Sequence, residues 1–244
     1  MWSYLRSTHH PWPCLLFLLP LLVAYEFGVF YLGGAQADAM RNGADSWIRW
    51  GLQYFGVREF LAAPILILAV FLLWTFFKWS ERPEDTLGII FTMIFESIGY
   101  GLGLWCISQA FVPFLQSLGV TLGVQIHLTD ESLARLVTFI GAGIYEETIF
   151  RLLLLNALVL ILKFVFIPRV FAMFLAAVIS SILFAAAHHI GEYGEQTINK
   201  AYFLFRVTAG LYFAAIYWIR GFGVAVGAHA MYDVMVGIPW KVTE

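Results

Sequence analysis

Apolar residues in this chain come in long unbroken runs, and polar residues collect in the short segments between them. Leu15 to Leu32 is almost wholly apolar. It is longer than the apolar core of a secretory signal, so it reads as a first membrane span and not as a cleaved leader. Phe60 to Phe77 is a second run, closed by Lys78, Trp79 and Arg82. A third begins near Leu87 and reaches Val112, where Pro113 is expected to end or kink it. Leu133 to Leu162 continues without proline for too long to be one perpendicular span, which predicts tilt or a break near Gly141 and Gly143. Val170 to Ala187, Ile198 to Ile219 and Val224 to Val236 complete about seven spans, or about eight if Leu133 to Ala142 stands apart.

The segments between the runs predict little regular structure, with one exception. Gln36 to Glu59 sets Trp47, Ile48, Trp50 and Leu52 among Arg41, Asp45 and Arg49, the pattern of an amphipathic helix lying at the membrane interface. No catalytic signal is legible there. Gln116 to Thr129 reads as a loop ending at a helix cap on Thr129 or Asp130. The predicted fold is all-α: a polytopic transmembrane helical bundle with a polar intramembrane cavity. Residues 1–130 hold N-terminal spans and the interfacial segment, and residues 131–244 form a helical core that carries the chemistry.

Composition agrees with the pattern. Of 244 residues 61% are hydrophobic and only 12% charged, and mean hydropathy is +0.81. A soluble domain has about twice that charge. A net charge of −2 leaves no basic face for nucleic acid, so the expected partners are the lipid bilayer and a molecule that reaches the protein through it. The two cysteines carry no metal or disulfide spacing, and nothing in the sequence reports an oligomeric state.

An ionisable group in hydrocarbon costs about 2.5–3.5 kcal/mol on insertion scales, so each one asks for a partner or a wet cavity. Tyr145-Glu146-Glu147-Thr148-Ile149-Phe150-Arg151 is the densest such cluster. Adjacent carboxylates on a helix point ~100° apart. Glu147 and Arg151, at i and i+4, are placed to form an ion pair. Glu146 is left without that cation and is expected to face a cavity as a proton acceptor. His188 closes a run of small residues, and His229 and Asp233 share one face of the last helix. At 1.5 Å per residue Glu146 lies ~25 Å from Lys163 and His188 ~28 Å from Arg169, so a pair of helices joined at Pro168 brings both to similar depth. His229 stands only ~13 Å past Arg220, which requires either a deep turn at Gly221-Phe222-Gly223 or a strongly tilted helix. Glu96 is expected to pair with Arg206 or line the cavity, Glu26 to snorkel from a helix end, and His189 and Glu192 to belong to a solvated mouth.

One glutamate, two histidines and an aspartate can hydrolyse a peptide bond in two ways. Without metal, Glu146 takes a proton from water with His188 orienting it, while His229 and Asp233 stabilise the oxyanion. With zinc, His188, His229 and Glu146 (or Asp233) bind the ion and leave one position for water. The absence of a local two-ligand motif favours the first scheme, so no cofactor is expected and zinc is the alternative.

The three elements Glu146-Glu147-xxx-Arg151, Phe184-xxx-His188 and His229-xxx-Asp233, in this order on successive helices, resemble the signature motifs of the CAAX protease and bacteriocin-processing (CPBP) family. That family includes Rce1-type prenyl-protein endopeptidases and is also called Abi. The resemblance covers roughly Leu133 to Trp240. It implies an intramembrane endopeptidase, a membrane-anchored protein or peptide as substrate, Glu146 as the water-activating residue, His188 beside it, and His229 with Asp233 at the oxyanion. The chain departs from the family where Asn is common and Asp233 stands: an amide donates to an oxyanion, and an ionised carboxylate does not. The expected location is the inner membrane of a prokaryotic cell. A proton- or solute-coupled transporter and a non-catalytic immunity or scaffold protein are the competing classes. The missing inverted repeat and the clustering of polar residues in one half weigh against transport.

Overall fold

The computed structural model describes residues 2–117, 132–191, 194–195, 197 and 199–237. A short α1 (Trp2–Ser7) precedes α2 (Pro11–Gly33). Proline suits the first turn of a helix, and the His10 ring accepts the Trp12 N–H at 3.1 Å as the cap. A 3₁₀ stretch, Gly34–Met40, leads into α3 (Gly43–Tyr54), capped by Asn42, and then α4 (Ala62–Phe77) and α5 (Thr86–Ser117) follow. Beyond them come α6 (Ser132–Glu147), a π-helical stretch Thr148–Leu155, α7 (Asn156–Phe164), α8 (Arg169–Ala187), α9 (Lys200–Arg220) and α10 (Phe222–Gly237). Of the loop expected over Gln116 to Thr129, Gln116 and Ser117 belong to α5, and the rest, with the cap at Thr129 or Asp130, lies outside the described residues, as does Glu192.

Among the described residues, 4 stretches are long and apolar enough to cross a membrane: Pro11–Met40, Thr86–Phe111, Arg169–Ala187 and Lys200–Arg220. The helices α4 and α10 are apolar but shorter. Burial follows a membrane logic. Phe27, Phe30, Leu73, Phe76, Phe77 and Phe174 are exposed on the outside, while Asp45, Glu147, Arg151 and Arg220 are buried. In α3 Asp45 is buried, Ile48 and Leu52 pack against the core, and Trp50 faces outward. The chain is an integral membrane helical bundle.

The core is built around α10, which packs mainly on α5 and α6 and also touches α9 and α2. Its residues from Phe222 to Ala230 are buried without exception, which explains why its sequence is apolar on every side. The turn before it is closed by the N-terminal residues. Gly221, at φ 89°, fits against the Thr8 carbonyl, and the His9 ring bonds the Ile219 carbonyl at 3.3 Å. The N-terminal residues therefore cover the turn and bury it within the protein, level with the start of α2.

Neither a break near Gly141 and Gly143 nor a helix end at Pro113 is found. The helix α6 runs unbroken through Gly141 and Gly143, which serve packing: a Cβ at Gly141 would stand 2.2 Å from the Tyr25 ring, and one at Gly143 2.7 Å from the Val226 carbonyl oxygen. The irregularity comes later, in the π-helical stretch, where widened turns re-aim the side chains that follow Glu147. Carbonyls of that stretch find side-chain donors: Ser180 Oγ bonds Phe150 O at 2.9 Å, and Asn156 Nδ2 bonds Leu152 O at 2.8 Å. The helix α5 continues through Pro113 to Ser117, an accommodation common among membrane helices.

Candidate active site

Glu146 and Glu147 end α6, and their side chains diverge as consecutive helical positions must. Glu147 is fully buried. Its Oε2 lies 3.2 Å from Arg151 Nε, the predicted i,i+4 pair. Arg151 also donates to the Gly210 carbonyl at 3.2 Å and lies 4.5 Å over the Phe184 ring, which gives the buried guanidinium a second layer of support.

The other carboxylate oxygen of Glu147 meets the last helix. His229 Nδ1 stands 2.7 Å from Glu147 Oε1, a contact that sequence spacing does not reveal. A carboxylate only accepts, so Nδ1 carries a proton. The ring is clamped between Phe213, stacked at 4.5 Å, and the edge of Phe184 at 5.9 Å. Its remaining nitrogen, Nε2, lies 3.9 Å from Glu146 Oε2 and 3.6 Å from Asp233 Oδ2. With carboxylates on both sides, the doubly protonated ring is the form that satisfies every neighbour.

Glu146 lines a cavity of ≈ 830 Å³ together with His188, Asn42, Phe150, Arg135 and Trp47. His188 is the residue just past α8, and its Nδ1 donates to the Phe184 carbonyl at 2.9 Å, leaving Nε2 as the free ring nitrogen. Glu146 and His188 thus share one cavity, as their equal depth predicts. His229 and Asp233 are outside the cavity wall and reach Glu146 from α10.

Several polar residues take partners other than those expected. Glu26 does not snorkel: it is buried beside Arg41 at 3.3 Å and Arg49 at 3.2 Å and accepts the Tyr145 hydroxyl at 2.8 Å. Glu96 pairs with Arg220 at 2.6 Å, not with Arg206, whose partner is Glu195 at 2.5 Å. His189 bonds the Glu195 carbonyl at 2.9 Å. The segment between Gln36 and Glu59, silent in the sequence, sends Asn42 to Glu146 Oε1 at 2.9 Å. Its only local signal is that of a helix cap.

A zinc ion would need Glu146, His188 and His229 (or Asp233) to converge. Among the described residues no group of at least 3 His, Cys, Asp or Glu side chains stands close enough to hold a metal ion. The donor geometry does not fit a closed ligand set, and the chemistry below is derived from the protein's own groups.

A family model, Type II CAAX prenyl endopeptidase Rce1-like, matches residues 128–235, a stretch that contains all three motifs. No curated protein and no solved structure matches the chain significantly. The family is one of proteases acting on membrane-associated proteins. Over residues 128–235, the part of the chain that carries the site, the sequence is similar to the Rce1-like family.

Proposed function

We propose that the chain is an intramembrane endopeptidase of the glutamate type, acting on a peptide bond of a membrane-anchored protein in the inner membrane of a prokaryotic cell. The observation that carries this reading is the pair Glu146 and His188 on one cavity wall, with His229 Nε2 3.9 Å behind the glutamate.

Glu146 takes a proton from a water held in the cavity, and His188 Nε2 orients that water as an acceptor. The water oxygen adds to the scissile carbonyl carbon, and the carbonyl π electrons move to its oxygen. His229 Nε2–H donates to this oxyanion. Glu147 holds the His229 ring in place, and Arg151 compensates the Glu147 charge. Asp233 orients His229 by facing the same nitrogen, a role that suits a carboxylate where the family often has an amide. As the tetrahedral species collapses, Glu146 passes its proton to the departing amine nitrogen and the C–N bond breaks. One peptide leaves with a new carboxylate and the other with a new amine.

The test is cleavage of a farnesylated peptide ending in a Cys-aliphatic-aliphatic-X sequence by the purified protein in micelles. Cleavage is expected in the wild type and is lost in Glu146→Gln, His188→Ala and His229→Ala, each still folded by thermal melting. It survives exhaustive chelation. Loss on chelation with recovery on added zinc would replace the glutamate scheme by the metal one.

A further inference from the structure

Glu146 is held from outside the part of the chain that matches the family. Its Oε1 accepts a 2.9 Å hydrogen bond from the side-chain amide of Asn42, far from residues 128–235. The sense of that amide is determined by its other contact. Asn42 Oδ1 accepts the Ala44 N–H at 2.8 Å as the cap of α3, so the NH2 end has to be the one that meets Glu146.

The backbone at Asn42 is fixed just as firmly. Its N–H donates to the Tyr25 hydroxyl at 3.0 Å, and that hydroxyl donates to Asp45 Oδ2 at 2.9 Å. Arg41 reaches Asp45 at 2.7 Å and Glu26 at 3.3 Å, while Arg49 reaches the same two carboxylates at 2.7 and 3.2 Å. Two carboxylates and two guanidiniums cancel in charge within this buried set. Tyr145, the residue before Glu146, donates to Glu26 at 2.8 Å and ties the set to α6. A closed ionic cluster of this kind adds little net stability over an apolar core, but its directional bonds leave one geometry for the groups attached to it.

We propose that Asn42 is a positioning residue for Glu146: it occupies Oε1 and leaves Oε2, the oxygen facing His229, to take the proton from water. The inference rests on the reading of Glu146 as the base. It makes the site composite, with the base on α6 and its alignment supplied by α2 and α3.

The test uses the full-length protein in micelles with the farnesylated peptide and two variants, Asn42→Asp and Asn42→Ser. Both residues cap helices well, so the fold of α3 is preserved while the donor to Glu146 is changed or shortened away. The expected result is a kcat lowered ~10–100-fold, the size of a hydrogen bond to a charged group. KM moves by less than about two-fold, and the melting temperature stays near that of the wild type. Wild-type kcat in both variants overturns the proposal, and so does a loss of kcat that appears only where the melting temperature falls with it. A second readout needs no cleavage. Carbodiimide must reach a carboxyl oxygen, and removing the Asn42 donor frees Oε1 for it. Labelling of Glu146, followed by mass spectrometry at pH 7, is therefore several-fold faster in Asn42→Ser, and unchanged labelling overturns the proposal. Faster labelling with an uncleaved peptide in the wild type sustains the positioning role and rejects the peptidase reading. Cleavage that depends on Glu146 but ignores Asn42 does the reverse.

Discussion

A carboxylate inside a helical bundle persists only where its neighbours offset the cost of its charge, and the pair Glu146–Glu147 solves this twice in different ways. Glu147 is enclosed by Arg151 and His229, and Glu146 is left beside a cavity with one oxygen on Asn42. The enclosed member can be tested by stability. Arg151→Met leaves Glu147 buried without its guanidinium and is expected to destabilise the protein by ~3–5 kcal/mol in thermal unfolding. The double variant Arg151→Met/Glu147→Gln is expected to recover part of that loss, because the stranded charge is gone. Strictly additive losses of Arg151→Met and Glu147→Gln would mean that the pair is not coupled. Single-residue signals were legible where charge interrupts an apolar run: Glu146, Glu147, Arg151, His188, His229 and Asp233 all stood out for that reason. Asn42 did not, because an asparagine before Gly43 reads as a helix cap, and its long-range contact crosses 104 positions of sequence.

Elements place these residues through close approach. The helices α6 and α10 come together where Gly143 faces the Val226 carbonyl, and that contact brings the α6 carboxylates to His229 on α10. Gly143→Val is expected to force the two helices apart, costing ~1–3 kcal/mol of stability by overpacking, and to reduce peptide cleavage more than a surface Gly51→Val control. The connection from α8 to α9 offers a pH test. The Arg206 hydrogen bond holds the Glu195 carboxyl below the usual glutamate range, against the opposing effect of burial. A carboxyl lowered in the folded state stabilises above its unfolded value, and that contribution fades as pH falls through the folded one. The melting difference between wild type and Glu195→Gln is therefore expected to be constant above pH ~4.3 and to close below it. It is small, because the pair is partly exposed to solvent. At this scale the runs of apolar residues placed the helices well. They did not separate Arg206 from Arg220 as the partner of Glu96, since residues 14 apart on α9 differ by only about 40° around the helix and the sequence carries no depth.

For the molecule as a whole, burial of charge and exposure of aromatic residues make it an object whose solvent is lipid, with Glu146 and His188 on a cavity among its helices. Its N-terminal helices do more than anchor it. The helix α2 packs on α6, the N-terminal residues cover the turn before α10, and α3 delivers Asn42 to Glu146. That cooperation could not be read from the chain, because its contacts join N-terminal segments to residues of the family-matched region far along the sequence. The central claim is that Glu146 activates the water that cuts a membrane-anchored protein. The most direct measurement compares the membrane proteins of cells making the wild type with those of cells making Glu146→Gln, by intact-mass analysis. At least one membrane-anchored protein is expected to carry the extra mass of an unremoved segment only in the Glu146→Gln cells. Full processing of every such protein in those cells would contradict the claim.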